Sequence, residues 1–380
     1  MEKTVCQFFE ASEIFPLQSG ESLGSITLAY ETYGTLNADK SNAILLFHAL
    51  SGSQHAAGFN DCVPESGEFW REECFIGWWD DFIGAGKALD TEKHFVICVN
   101  SLGGCYGSLG PSSINPNTGK QFGGEFPRIS ISDMIDAEVK LLDHLGIQVL
   151  SAVVGASVGG LLALNFAVRY PDKVKKVVSI ASGMRIPVLQ RIQNFEQIYA
   201  IESDRHFNGG NYYDGPPPDQ GLALARMIAH KNYISLELIS DRARAEVEKS
   251  KRTDGRYYEL SNQIESYMLH QGIKFIKRFD ANTYIRFMEA WQHFDLLKDT
   301  EEKTISDVFD RCKNQKFLLF SIESDVCFWP EQQVEMTQYL KASKVFYQHI
   351  TVHSDKGHDA FLIEPDLFSA HLRYFVDWLP

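Results

Sequence analysis

The stretch Leu150–Tyr170, LSAVVGASVGGLLALNFAVRY, begins as a short apolar β-rich run and ends with apolar residues at helical spacing. Between the two stand Gly155, Ser157, Gly159 and Gly160. A buried strand that turns sharply into a helix forces backbone atoms together, so the residues two before and two after the central serine must be small. The serine then projects above the end of the sheet. Its hydroxyl lies at a helix N-terminus, where free N–H groups and the positive end of the dipole favour developing negative charge. The plain alternative is a helix-capping serine beside packing glycines. G-x-S-x-G arises often enough by chance that the motif alone decides little, but its strand–turn–helix setting points to a nucleophile.

Further β-rich runs recur on either side: SITLAYETYG, NAILLFHAL, HFVICVN, VKKVVSIAS and QKFLLFSI. Helical patterns at Ser132–Leu145 and Val158–Tyr170 lie between some of them, which predicts a mainly parallel central sheet flanked by helices, the α/β class. The alternation breaks between residues 185 and 304. That region has helical periodicity, many charges and polar turns such as HFNGGNYYDGPPPDQG, so it is expected to be a helical lid inserted over the sheet. Residues 1–184 and 305–380 then form the core domain, whose last part carries a helix in PEQQVEMTQYLKAS, a strand in KVFYQHITV and a final helix from about Pro365 to Trp378.

Composition narrows the function classes. A chain of 380 residues can bury a large core. Its net charge of −14 opposes long-range attraction to nucleic acid or an anionic membrane. The seven cysteines are scattered without a C-x-x-C pair, so neither zinc nor redox chemistry is indicated and no metal is expected. No apolar run reaches the roughly 18 residues of a membrane span, and MEKTVCQFFEASEIFPL lacks the regions of a secretory signal, so a cytoplasmic protein is expected.

A nucleophilic serine needs a base to accept its proton and a carboxylate to orient that base. In this topology both should follow the serine, acid first. FSIESDVCFWP offers Glu323 and Asp325, of which Asp325 is favoured because it lies deeper in the loop beyond the strand end. HITVHSDKGHDAFL offers His353 and His358; His358 is favoured because SDKG makes a flexible loop able to carry the ring, whereas His353 ends a strand. A second oxyanion donor should come from the loop after an earlier central strand. In AILLFHALSGSQHAAG the turn at His48–Ser51 can aim the Leu50 N–H at the same point as that of Val158, with His48 read as a structural hydrogen-bonding residue.

Beyond the elbow, FHALSGSQHAAG, GWWDDFIGAGKALDTEKHFVICVN, LGGCYGSLGPSSINPNTGK, GASVGG, FDANTY and GHDAFLIE resemble the homoserine O-acyltransferases of the α/β-hydrolase superfamily, usually acetyltransferases, over nearly the whole chain. The resemblance implies an α/β-hydrolase fold and ping-pong transfer of an acyl group through Ser157. The donor would be acyl-CoA, acetyl-CoA above all, and the acceptor L-homoserine, in methionine biosynthesis. It implies no tightly bound cofactor and a homodimer through the lid helices. By motif position, Arg226 in GLALARMIAH should meet the amino-acid carboxylate, for which its planar fork is suited, and Asp359 the ammonium. Tyr233, two helical turns after Arg226, should add a hydroxyl contact. The elbow here reads GASVGG where the family commonly has G-G-S-M-G-G, and the oxyanion loop HALSGS where it has H-A-L-T-G-D. These changes bear on specificity, so a succinyl donor or a serine acceptor stays open. An esterase would use the same triad, but the Arg226 and Asp359 pair favours a zwitterionic acceptor. A non-catalytic scaffold should have lost a triad member, and none is missing.

Overall fold

The computed structural model describes residues 2–245 and 260–377. Eight strands form the central sheet: β1 (Gln7–Ala11), β2 (Ile26–Tyr33), β3 (Ala43–Phe47), β4 (Phe95–Val99), β5 (Leu150–Ala156), β6 (Val174–Ile180), β7 (Lys316–Ile322) and β8 (Phe346–Val352). Their spatial order is β1-β2-β4-β3-β5-β6-β7-β8. The pairings of β2 with β1 and with β4 are antiparallel, and from β4 to β8 every neighbour is parallel. This is the α/β-hydrolase arrangement.

The apolar runs make central strands because both faces of each are covered. On β3, Leu45 and Phe47 enter one core while Ile44 and Leu46 enter the other; on β7, Phe317 and Leu319 oppose Leu318, Phe320 and Ile322 in the same way. The first core is closed by α1 (Ile131–His144) and α2 (Val158–Arg169). Ser130 caps α1 by accepting from the Asp133 N–H, while the Asp133 side chain accepts from the Ser130 N–H.

Between β6 and β7 come α3 (Val188–Glu202), α4 (Asp219–Tyr233), α5 (Leu236–Ala245), α6 (Gln263–Ile276) and α7 (Ala281–His293). No sheet strand occurs among the described residues of this stretch, and residues 246–259 lie outside them. Its two ends meet at a neck, where the backbones of Arg185 and Asp295 pair antiparallel as an isolated β-bridge and the Leu296 N–H donates to Met184 O at 2.9 Å. Phe287, Met288 and Trp291 of α7 join the core of Leu161 and Phe166 on α2, so the inserted helices rest on the α1–α2 face. The chain returns through α8 (Ile305–Asp310), β7, α9 (Pro330–Ala342), β8, α10 (Ala360–Ile363) and α11 (Asp366–Asp377). Phe368, Leu372 and Phe375 of α11 close the second core; Trp378, the expected end of this helix, lies outside the described residues.

Strands β3 and β5 are neighbours, yet their onward connections leave in opposite directions, to β4 and to β6. Open α/β sheets form a crevice at such a point, beyond the carboxyl ends of the strands. The loops carrying His48–Ser53 and Ser157 both begin there. Because Leu319 is fully buried in the strand that leads to Asp325, Leu319→Ala should lower stability by about 2–5 kcal/mol in urea unfolding, the usual range for such a truncation.

Candidate active site

Ser157 stands between β5 and α2 with φ 58° and ψ −125°, a conformation rare for any residue with a side chain. Its N–H is tied to Ile180 O at 2.9 Å. A Cβ on Gly155 would lie 2.0 Å from Gly159 O, and one on Gly159 would lie 2.4 Å from Phe47 O. Both positions are backbone against backbone, so neither can yield to a side chain.

Asp325 and His358 meet. The buried Asp325 sits in the turn after β7, where its Oδ1 accepts from the N–H groups of Cys327 (2.7 Å) and Phe328 (2.8 Å). Its Oδ2 lies 2.8 Å from Nδ1 of the buried His358. That contact makes Nδ1 the donor and leaves Nε2 as the free face of the ring. The ring stacks on Phe328 with centroids 5.6 Å apart. The alternatives Glu323 and His353 find each other at the surface instead, 2.8 Å apart with their side chains 64% and 76% exposed.

Nε2 of His358 is buried and has no hydrogen-bond partner among the described residues. No hydrogen bond joins it to Ser157 Oγ, although both side chains line one cavity of about 330 Å³. Contacts of this kind commonly tighten only when substrate is bound. Leu50 lines the same cavity, and the backbone N–H groups of Leu50 and Val158 donate to no acceptor among the described residues.

The inserted helices supply much of the remaining wall. Arg226 and Tyr233 come from α4, and the Arg226 guanidinium lies 5.5 Å from the Tyr233 ring centroid and 5.0 Å from that of Phe275 on α6. It forms no ion pair among the described residues. Asp359 donates its N–H to Tyr233 O at 2.8 Å, while its carboxylate makes no hydrogen bond or ion pair among them. Burial raises the Asp359 pKa, against the opposing charges of His358 and Arg226. The cavity thus carries one unpaired cation and one unpaired anion.

Sequence reasoning did not single out the rest of this wall. Arg278, after α6, donates through Nη1 to Ser51 O (3.1 Å) and Tyr106 Oη (3.3 Å), and the Tyr106 hydroxyl donates back to Arg278 O. Lys274 pairs with Glu73 at 3.1 Å. His55 lines the cavity too, with Nδ1 against the buried Glu31 carboxylate at 2.9 Å and Nε2 against Phe75 O at 3.0 Å. Tyr106 lies within GCYGSLGP and Asp280 within FDANTY, two of the segments that carry the family resemblance; Asp280, outside the cavity wall, caps α7 and accepts from the hydroxyls of Tyr212 and Tyr213. Nothing local marks Arg278 or Lys274.

Comparison with known proteins bears on the fold and the family. A family model described as the α/β hydrolase fold matches residues 42–365. The homoserine O-acetyltransferase of Methanohalobium evestigatum is 42% identical over 373 residues, 98% of this chain and 72% of the relative; that of Solidesulfovibrio magneticus is 38% identical and covers 99% and 92%. The chain belongs to the homoserine O-acetyltransferase family. Among solved structures of this fold, the family member from Bacillus anthracis superposes with a TM-score of 0.88 at 26% identity, covering 100% of this chain and 99% of that one. An esterase superposes at 0.86 with 27% identity, covering 98% and 100%. The fold by itself, therefore, does not separate transfer from hydrolysis.

Burial alone would depress the pKa of His358, but the charge and hydrogen bond of Asp325, with Asp359 nearby, outweigh it and raise the pKa above its ordinary value. A raised folded-state value stabilises the fold fully below the unfolded value, and this contribution is lost as pH rises through the folded one. In NMR titration the His358 ring should accordingly titrate above an ordinary histidine. In Asp325→Asn, where burial acts with less opposition, it should titrate below the wild-type value.

Proposed function

We propose that this chain transfers the acetyl group of acetyl-CoA to the side-chain hydroxyl of L-homoserine, in two steps through an acyl-Ser157 intermediate, and so activates homoserine for methionine biosynthesis. The observation that carries this is the unpaired Arg226 guanidinium and Asp359 carboxylate in the cavity that Ser157 and His358 line. An α-amino acid supplies a carboxylate and an ammonium at once, and pairing each with its opposite offsets the cost of holding both charges out of water. A simple ester offers neither. Tyr233, which lines the same cavity, adds a hydroxyl contact to the acceptor.

In the first step His358 Nε2 takes the proton of Ser157 as Oγ attacks the thioester carbonyl. The oxyanion is received by the free N–H groups of Leu50 and Val158. Asp325 stabilises the imidazolium, the carbon–sulfur bond breaks, and the thiol of CoA leaves with the proton from His358. In the second step His358 takes the homoserine hydroxyl proton, the hydroxyl oxygen attacks the acyl-enzyme, and Ser157 recovers its proton as O-acetylhomoserine departs. Acetyl-CoA is a co-substrate here, and the mechanism calls on no tightly bound cofactor. Because the base must be neutral, activity falls as pH drops through the raised His358 value.

Residues 185–304 act as the lid that narrows access and keeps water from the acyl-enzyme. They also offer a surface for a second copy. Val188, Ile192, Phe195 and Tyr199 lie four, three and four residues apart on α3 and are 74%, 50%, 60% and 60% exposed, an apolar stripe at the spacing of a helix–helix seam. A homodimer through this stripe covers it. The reaction belongs to the cytoplasm, with its biosynthetic relatives; no helix among the described residues is long and apolar enough to cross a membrane.

The deciding assay is CoA thiol release from acetyl-CoA or succinyl-CoA with L-homoserine, L-serine or no acceptor. Release should depend on acetyl-CoA and homoserine together and fall roughly 10⁴-fold or more in Ser157→Ala. Equal release without acceptor would make the chain a hydrolase. Arg226→Lys should raise KM for homoserine about 10- to 100-fold, the loss of one bidentate charged contact, while leaving single-turnover acylation by acetyl-CoA nearly unchanged. In sedimentation, the wild type should run as a dimer and the double variant Ile192→Glu, Phe195→Glu as a monomer.

A further inference from the structure

The loop that follows β3 is held by donors on alternate carbonyls. Arg278 donates to Ser51 O at 3.1 Å and the Trp78 indole to Ser53 O at 2.9 Å. Ala49 O has two partners, the Gly52 N–H at 2.9 Å and Nδ1 of His48 at 2.7 Å. On its other side the His48 ring faces the Ser101 N–H, 3.1 Å from Nε2. A carbonyl can only accept and a backbone N–H can only donate, so Nδ1 carries the proton and Nε2 is the acceptor. One neutral tautomer satisfies both contacts; an imidazolium would set N–H against N–H at Ser101. Burial pushes the His48 pKa down to about 4, with the bond to Ala49 opposing, which agrees with that tautomer.

The Ala49–Leu50 peptide is planar and trans, so its C=O and N–H point in opposite directions. Turning Ala49 O toward His48 turns the Leu50 N–H away from it. We infer that His48 is a positioning residue for acyl transfer: through Nδ1–H···O=C to Ala49, with its tautomer set by the Ser101 N–H, it holds the Leu50 N–H in the orientation that receives the oxyanion. This rests on the proposed roles of Ser157 and Leu50. His48 touches neither substrate nor nucleophile, and it is absent from the cavity wall while Ala49, Leu50 and Ser51 line it. Without His48 the Ala49 carbonyl keeps only the Gly52 N–H, a partner within the same turn that can shift with it, while Arg278 and Trp78 still hold the rest of the loop, so the loss falls on the transition state rather than on the binding of acyl-CoA.

Two substitutions separate the two ring contacts. In His48→Asn the amide nitrogen takes the place of Nδ1, so the donor to Ala49 O is retained and the acceptor for Ser101 is lost. In His48→Gln the amide lies one bond further out, so a group can still meet Ser101 and the donor to Ala49 is lost. CoA release from acetyl-CoA with homoserine should show kcat lowered on the order of 10²-fold in His48→Gln, the effect of losing one oxyanion donor, with KM for acetyl-CoA within about threefold of wild type. In His48→Asn, kcat should recover to within about tenfold. A His48→Gln kcat within about threefold of wild type would overturn the inference, as would equal impairment of the two variants. If His48→Gln does not fold, as judged by thermal unfolding, His48→Asn decides alone: a kcat within about tenfold supports the donor role and a loss on the order of 10²-fold overturns it. Ser157→Ala runs in parallel. Release that survives Ser157→Ala removes the nucleophile itself, whereas release lost in Ser157→Ala and kept in His48→Gln removes only the role of His48.

Discussion

The fold and the site depend together on the backbone turn at Ser157. A residue with a side chain at φ 58° and ψ −125° costs of order 1–3 kcal/mol and persists only where its surroundings over-determine it. Here they do. The Ser157 N–H is pinned to β6 through Ile180 O, and Gly159 brings the start of α2 against the carbonyl of Phe47 at the end of β3. One turn therefore draws β3, β5, β6 and α2 to a common point. The loop after β3 leaves from beside the serine because Phe47 is already in contact with its helix. Loosening the turn would move the hydroxyl and the Val158 N–H together, so the strain is confined to a place where rigidity serves both.

Around that point the charges divide into two kinds. Asp325 is satisfied on every side, with two backbone N–H groups on one oxygen and His358 on the other. Its role is to be immobile, and the raised pKa of His358 shows that the pairing outweighs burial. Arg226 and Asp359 are different: the cation rests on aromatic faces, the anion has no side-chain partner among the described residues, and burial raises the pKa of the anion. Holding such groups in the cavity without a charged partner costs stability, which the aromatic contacts of Arg226 offset on the cation side only. A zwitterion that completes both would return it on binding, so the folded protein is poised for that ligand. On the proposed roles the same balance favours transfer over hydrolysis, since water satisfies neither charge as well as a zwitterion does.

Legibility in the sequence followed the range of the physics. The elbow could be read because its requirements are local: small residues at fixed offsets, a strand before and a helix after. Asp325 could be separated from Glu323, and His358 from His353, because two and five residues of extra loop decide whether a side chain turns over the sheet edge or stays beside its strand; Asp325 meets His358, and the two alternatives pair at the surface. The neighbourhood of Arg226 and Tyr233 on one face followed from the helical repeat. What could not be read was set by distant partners. Helical periodicity announces that α6 has a buried face, not that Lys274, Phe275 and Arg278 meet a cavity whose floor belongs to residues more than a hundred positions earlier. Glu31 sits in a strand pattern as one more polar residue; only the fold brings His55, Asn60 and Tyr33 onto its carboxylate.

The superposition of an esterase on nearly the whole chain, about as well as a family member from Bacillus anthracis, bears on where function resides. A nucleophile, a base, an acid and two N–H donors lower the barrier for any acyl group that reaches them, and these are set by the sheet and its loops. What the deacylating partner is, water or an amino-acid hydroxyl, is then a question of occupancy at one face of the acyl-enzyme. On the proposed roles that face is lined from α4 and from the residue that follows His358, so two contributions far apart in the chain must agree. Two backbone bonds join them, Asp359 N–H to Tyr233 O at 2.8 Å and Ser235 N–H to Lys356 O at 3.1 Å, tying the His358 loop to the C-terminal end of the helix that carries Arg226. A displacement of α4 would consequently move the acceptor cation and disturb the setting of the base in the same motion. On the proposed roles, acceptor binding and the chemistry of its hydroxyl are coupled through these two backbone contacts.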